Sequence, residues 1–164
     1  MVNILFVCSA NRFRSVIAAE HLRSLLIKDP LTAGWQVSSA GTWAKNGLPP
    51  IPQALRFAAS RRLEIDEVRS RDVNREILTA ATLVIVMTES QREALKIEFP
   101  DVGEKVFLLS KACADQVFDI PDPFEKDDQT GNAIGDEIMG LVSNGYSRIC
   151  DIAGRLDAKR TGTV

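Results

Sequence analysis

The sequence predicts an α/β protein, a four-stranded parallel open sheet flanked by helices on both faces in a three-layer sandwich. Three observations predict it. Short apolar runs of strand type recur at 3–7, 35–42, 81–87 and 105–109. Stretches of helical period stand between them and after the last, and strands alternating with helices imply parallel pairing. One run, "ATLVIVM", is continuously apolar, as is typical of a strand covered on both faces.

Taken in order, Asn3 to Val7 is the first strand, and from Val16 the period changes. Ala18, Leu22, Leu25 and Leu26 share one helical face, while Glu20, Arg23 and Lys28 fall elsewhere. A strand therefore turns into a helix across "CSANRFRS", Cys8 to Ser15. "WQVSSAGT" reads as the second strand, and "PQALRFAASRR" as a helix opened by Pro52 near its first turn, where a missing N–H is tolerated. A polar loop leads to "ATLVIVM". "TESQREALKIEF" follows, with Thr88 as N-cap and Gln91 as its capping-box partner. "KVFLL" is the fourth strand, "DIPDPF" a proline-punctuated loop, and a last helix spans Gly135 to Leu156. In open parallel sheets ligands bind at the carboxyl ends of strands, and Cys8 sits at one.

The length of 164 residues suits a single domain, 1–164, with its own core. Apolar residues make up 45% and charged residues 26%, the balance of a soluble globular protein. "MVNILFV" is too short and lacks the basic leader of a signal peptide, so the expected location is cytoplasmic, with no membrane span. A formal charge of −2 with scattered basic residues gives no general footprint for nucleic acid, so any anion site must be local. Three widely spaced cysteines, Cys8, Cys113 and Cys150, suit neither a disulfide framework nor a zinc knuckle. His21 is the only histidine, which excludes a His-rich metal centre. No metal or other cofactor is expected.

From Cys8 to Arg14 the spacing is C-x5-R, which lets a loop curl around an anion with sulfur at its base and the guanidinium above. The pair lies in a strand-to-helix turn, where amide N–H groups and the helix N-terminus favour a dianion. Arg14 offers a planar fork for two phosphate oxygens, and Ser15 can donate a hydrogen bond to sulfur. Cysteine suits the place, because the thiolate is the nucleophile and helix N-termini and arginines favour it. The blander reading is a buried apolar residue at a strand end. His21, placed by the helical period away from the turn, disfavours a Cys–His protease. Nucleoside triphosphate binding is also disfavoured, because "CSANRFRS" has no glycine or lysine. Transfer of a phosphoryl group to sulfur needs a proton for the leaving oxygen, and Asp119 and Asp122 of "DIPDPF" are the candidates. Asp-Pro is also an ordinary turn signal.

These residues match a family. "VCSANRFRS", "SSAGT" about thirty residues later and the late "DPF" resemble, in order, spacing and total length, the low-molecular-weight protein tyrosine phosphatases. The resemblance covers essentially the whole chain. It implies the flavodoxin-like four-stranded sheet and a hydrolase in which Cys8, Arg14 and Asp122 are catalytic. Cys8 would attack phosphorus; Arg14 and the loop Ser9, Ala10, Asn11, Arg12, Phe13 and Ser15 would hold the phosphate; Asp122 would protonate the leaving group and later serve as base toward water. Asn11 matches the loop asparagine that tolerates left-handed backbone, and Ser15 and Ser39 match serines that support the loop. Trp43 and Phe124 are candidate pocket walls, with Arg12 at the entrance. A deep aromatic-walled pocket implies phosphotyrosine protein substrates, because a phosphoserine side chain is too short. A bacterial tyrosine kinase is the expected partner, and the protein a monomer or weak homo-oligomer.

Several residues depart from the family pattern. Ala10 stands for the usual glycine, Phe13 for a cysteine often found before the arginine, Val16 for proline, Val68 for a supporting histidine and Glu125 for a second aromatic. Without a cysteine at 13, the vicinal disulfide that can protect the nucleophile cannot form. Two rival readings stand beside the phosphatase. A catalytically weak phosphate-binding module draws on Ala10, Val16 and Val68. Thiol-dependent arsenate reduction uses a similar loop but needs further cysteines close by, commonly after the third strand, and "VIVMTESQREAL" has none.

Overall fold

In the computed structural model, which describes residues 1–162, four parallel strands lie in the order β2-β1-β3-β4. They are β1 (Asn3–Cys8), β2 (Gln36–Gly41), β3 (Leu83–Val86) and β4 (Val106–Leu108). The register sets Cys8 opposite Gly41 and Val7 opposite Val86, so the carboxyl ends of β1, β2 and β3 meet at one margin of the sheet.

Alternation along β1 feeds two cores. Ile4, Phe6 and Cys8 face the larger one, covered by α1 (Arg14–Leu26), α2 (Pro52–Ser60), α5 (Leu109–Ala114), α6 (Asp128–Asn144) and α7 (Tyr146–Thr161). Leu5 and Val7 face the other with Val84 and Val86, beneath α3 (Arg75–Ala80) and α4 (Glu89–Glu98). A strand buried on both faces has no polar side to present, which is why β3 reads as an unbroken apolar run. Among the described residues no helix is long and apolar enough to cross a membrane.

The predicted capping box is present at α4: the Thr88 side chain accepts from Gln91 N, and the Gln91 side chain accepts from Thr88 N. Three features differ from expectation. The polar loop before β3 contains α3, capped by the Asn74 side chain accepting from Ile77 N at 2.8 Å. "DIPDPF" follows α5 rather than β4 directly. Both helices have only six residues, too few to show a period. The single helix expected over Gly135 to Leu156 is two, α6 and α7, broken at Gly145. A Cβ on Gly145 would stand 2.5 Å from Cα of Cys113, so the chain turns where only glycine lets α5 approach.

Candidate active site

The loop from Cys8 to Arg14 leaves β1 and enters α1 without a side-chain cap. Phe13 occupies the N-cap position, makes no capping hydrogen bond, and is buried against Phe57 with ring centroids 6.0 Å apart. The amides of the first helical turn are therefore not consumed by a cap, and together with the helix dipole they suit an anion.

Asn11 organises the loop. Its φ of 56° is left-handed, a conformation asparagine tolerates better than most residues. Its Nδ2 donates to Ser15 Oγ and to Ser39 Oγ, each at 2.9 Å. Because the Ser15 oxygen already accepts from Asn11, its own O–H is available to Cys8 Sγ, 3.0 Å away. Asn11 Oδ1 accepts from the backbone N of Arg71 at 3.0 Å, and Arg71 Nε donates to the Ser39 carbonyl at 2.9 Å. Val68, aligned by resemblance with a supporting histidine, instead packs against the core. The support comes from Arg71, largely through a backbone N–H that side-chain identity does not reveal.

The end of β2 is laced to the same loop. Thr42 N donates to the Cys8 carbonyl at 2.8 Å and Trp43 N to the Ser9 carbonyl at 3.0 Å. A Cβ on Gly41 would lie 2.3 Å from the Ser9 carbonyl oxygen, so the glycine of "SSAGT" is required by close approach of two backbones. Ala10 is exposed and outside the left-handed region, so its methyl is accommodated where glycine was expected. Val16 is buried in the core.

Arg14 is 4% exposed. Its two terminal nitrogens reach the segment after α5, donating to the Ile120 carbonyl at 2.9 Å and to Asp122 Oδ2 at 3.2 Å. Asp122 Oδ1 accepts from Phe124 N at 3.0 Å. The other sequence candidate is occupied elsewhere: Asp119 Oδ1 accepts from Glu89 N at 2.8 Å, at the start of α4. Of the two carboxylates, Asp122 alone lines the cavity with Cys8.

That cavity is about 420 Å³, and Cys8, Ser9, Ala10, Arg12, Phe13 and Arg14 all line it. Trp43, Leu48, Ile51 and Phe124 contribute apolar surface, and Lys45 an exposed cation. Arg12 is steadied by Nε donating to the Pro49 carbonyl at 2.7 Å. Gln91 also reaches the loop, from α4 to Ser9. The side chains of Cys113, Cys150 and His21 do not line the cavity. His21 Nε2 is 2.6 Å from Ser143 Oγ on α6. Burial pushes the Cys113 thiol up to about 12 and raises that of Cys150. Among the described residues, no group of three or more His, Cys, Asp and Glu side chains is placed to hold a metal ion.

The structure thus brings together Cys8, Ser9, Ala10, Asn11, Arg12, Phe13, Arg14 and Ser15 in one loop, with Ser39 behind it and Asp122, Trp43 and Phe124 at the cavity it opens on. A sulfur, a buried guanidinium and a half-exposed carboxylate around one anion-sized loop can support nucleophilic transfer with proton delivery. Arg71, Gly41 and Gln91 are the supporting residues that motif reading did not assign to the site.

Comparison with known proteins finds relatives among the phosphatases. The chain is 32% identical over 123 residues, 75% of its length and 79% of the relative's, to a probable low molecular weight protein-tyrosine-phosphatase, EpsP, of Ralstonia solanacearum. It is 30% identical over 139 residues, 85% of its length and 90% of the relative's, to a protein-arginine-phosphatase of Geobacillus stearothermophilus. The solved structure of the YwlE arginine phosphatase from that organism superposes with a TM-score of 0.81 at 28% identity, covering 99% of this chain and 97% of that one. The model of the low molecular weight phosphotyrosine protein phosphatase family matches residues 3–149, and the chain belongs to that family of phosphoric monoester hydrolases.

Proposed function

We propose that the protein hydrolyses phosphotyrosine in proteins, and simple aryl phosphates, through a phosphocysteine at Cys8. Cys8 Sγ attacks phosphorus in line, and the P–O bond to the phenol breaks. Asp122 gives its proton to the departing oxygen, while Arg14 and the amides from Ser9 to Ser15 hold the non-bridging oxygens. Water then attacks the phosphocysteine; Asp122, now a carboxylate, takes the water's proton, and the S–P bond breaks to return sulfur and free phosphate. The observation that carries this reading is that Cys8, Arg14 and Asp122 line one cavity. The chain of Ser15, Asn11, Ser39 and Arg71 supports it by fixing the sulfur end.

Relatives include both tyrosine and arginine phosphatases, and the cavity lining favours tyrosine. A phosphorylated guanidinium retains positive charge on its remaining nitrogens, and here it would meet Arg12, Arg14 and Lys45 with Asp122 as the single acid among the described residues that line the cavity. A phenyl ring would instead lie along Trp43, Leu48, Ile51 and Phe124. A bacterial tyrosine kinase, or a substrate of one, is the partner this chemistry suggests. Arsenate reduction is less favoured, because no second cysteine shares the cavity and Cys113 is a buried, proton-retaining thiol.

The test is metal-free hydrolysis of a phosphotyrosyl peptide beside the matched phosphoarginyl peptide. Faster turnover of phosphotyrosine, lost in Cys8→Ser, supports the reading. Faster turnover of phosphoarginine would move the assignment to the arginine phosphatases, and phosphate binding without turnover of either would leave a binding module.

A further inference from the structure

Gln91 is the third residue of α4 and completes its capping box. The side chain is 5% exposed and both of its ends are engaged. Oε1 accepts from Met87 N at 3.0 Å and from Thr88 N at 3.1 Å. Nε2 reaches across 82 residues of sequence to donate to Ser9 Oγ at 3.0 Å. A glutamate is as ordinary as a glutamine at this position of a capping box and would accept the same two backbone N–H groups. It would have no proton for Ser9. Because the Gln91 amide occupies a lone pair of Ser9 Oγ, the serine hydroxyl hydrogen must point elsewhere. Among the described residues it has no protein acceptor, and Ser9 lines the cavity beside Cys8 and Arg14.

We propose that Gln91 is a positioning residue of the phosphate loop. Its amide commits the Ser9 hydroxyl to donate to the bound oxyanion, and its neutrality keeps the α4 cap from setting a negative charge behind that oxyanion. The proposal rests on the phosphatase reading of the cavity and deepens it: a helix cap remote in sequence helps select a tetrahedral dianion.

The experiment is calorimetric binding of inorganic phosphate, which requires no turnover, to the wild type and to Gln91→Glu. The variant keeps its cap, so its thermal midpoint stays near that of the wild type. Its phosphate affinity falls by about ten-fold or more at neutral pH, the expected direction when a carboxylate replaces a donor near a dianion. Its deficit relative to wild type shrinks as pH falls through the carboxyl range, where the new group becomes neutral and can donate again. KM for an aryl phosphate rises in parallel, with kcat changing less. Ser9→Ala, which leaves the cap untouched, weakens phosphate binding by roughly three- to ten-fold. A folded Gln91→Glu protein with wild-type phosphate affinity, or a pH-independent deficit, overturns the proposal, as does unchanged affinity in Ser9→Ala. Wild type that binds phosphate but hydrolyses no phosphotyrosine sinks the phosphotyrosine reading and leaves this comparison intact; wild type that binds no phosphate sinks both.

Discussion

In the loop from Cys8 to Ser15 every polar side chain is hydrogen-bonded, and Asn11, Arg14 and Ser15 are buried. Across the same cavity Trp43 is 90% exposed and Phe124 59% exposed. The two regions share a site and follow different rules. A dianion is a fixed shape whose stabilisation depends on preorganised donors, so the groups around it are tied to β1, β2, α1 and the backbone of Arg71. A protein-borne phenol arrives with a variable peptide attached, and exposed aromatic surface can meet it without prior order. The chemistry is therefore expected to reside in the loop and the choice of substrate at the rim, and mutations in the two places should separate cleanly.

The largest effect is expected at the sulfur. Cys8→Ser should lower kcat for an aryl phosphate by on the order of 10⁴-fold or more, since the proposed nucleophile is removed, as a stopped assay with matched folding controls can show. Asp122→Ala comes next, with a loss of roughly 10²–10⁴-fold for phenols of ordinary acidity. That loss should shrink as the leaving phenol becomes more acidic, because such a phenolate needs less protonation; a loss independent of the leaving group would remove Asp122 from the acid role. Asn11→Ala breaks the links to Ser15, Ser39 and Arg71 at once. It should lower the melting temperature by roughly 5–10 °C and depress kcat more than KM.

At the rim, Trp43→Ala and Phe124→Ala should raise KM for phosphotyrosyl peptides by roughly three- to ten-fold while leaving the melting temperature and inorganic phosphate affinity unchanged. A matching loss of phosphate affinity would dissolve the distinction between the two regions. The smallest effect lies outside both. Burial, with Lys28 adding to it, lowers His21 from its ordinary value of 6.5, so the unfolded chain binds this proton more readily than the folded one. Stability from this residue is present above about 6.5 and declines as pH falls below it. In acid-range thermal melts, His21→Gln should flatten that decline without altering turnover at neutral pH.

The loop was legible in the sequence because its chemistry is local. Cys8, Arg14 and Ser15 fall within one strand-turn-helix transition, where spacing alone implies their convergence, whereas Asn11 was assigned through the resemblance. Ser39, like Asn11, was legible only in that way, since a serine near a strand end carries no signal of its own. Arg71 and Gln91 stayed hidden for a different reason: they meet the loop across 60 and 82 residues of sequence. One of them acts through a backbone N–H, which every residue but proline possesses. The strands were evident from their apolar runs, whereas α3 and α5 were too short to show a period and the break at Gly145 depends on packing against Cys113. Asp122 was set apart from Asp119 only through the resemblance; in the structure Asp119 accepts from Glu89 N, and Asp122 is the one of the two that lines the cavity.

The central claim, that sulfur and not water first takes the phosphoryl group, is tested most directly by trapping. Asp122→Ala is mixed with an aryl phosphate of acidic leaving group, acid-quenched during turnover, digested and examined by mass spectrometry. The account predicts one added phosphoryl group on the peptide carrying Cys8, disappearing as substrate is exhausted and absent from Cys8→Ser. Steady turnover with an unmodified Cys8 peptide, or turnover that survives Cys8→Ser, would contradict it.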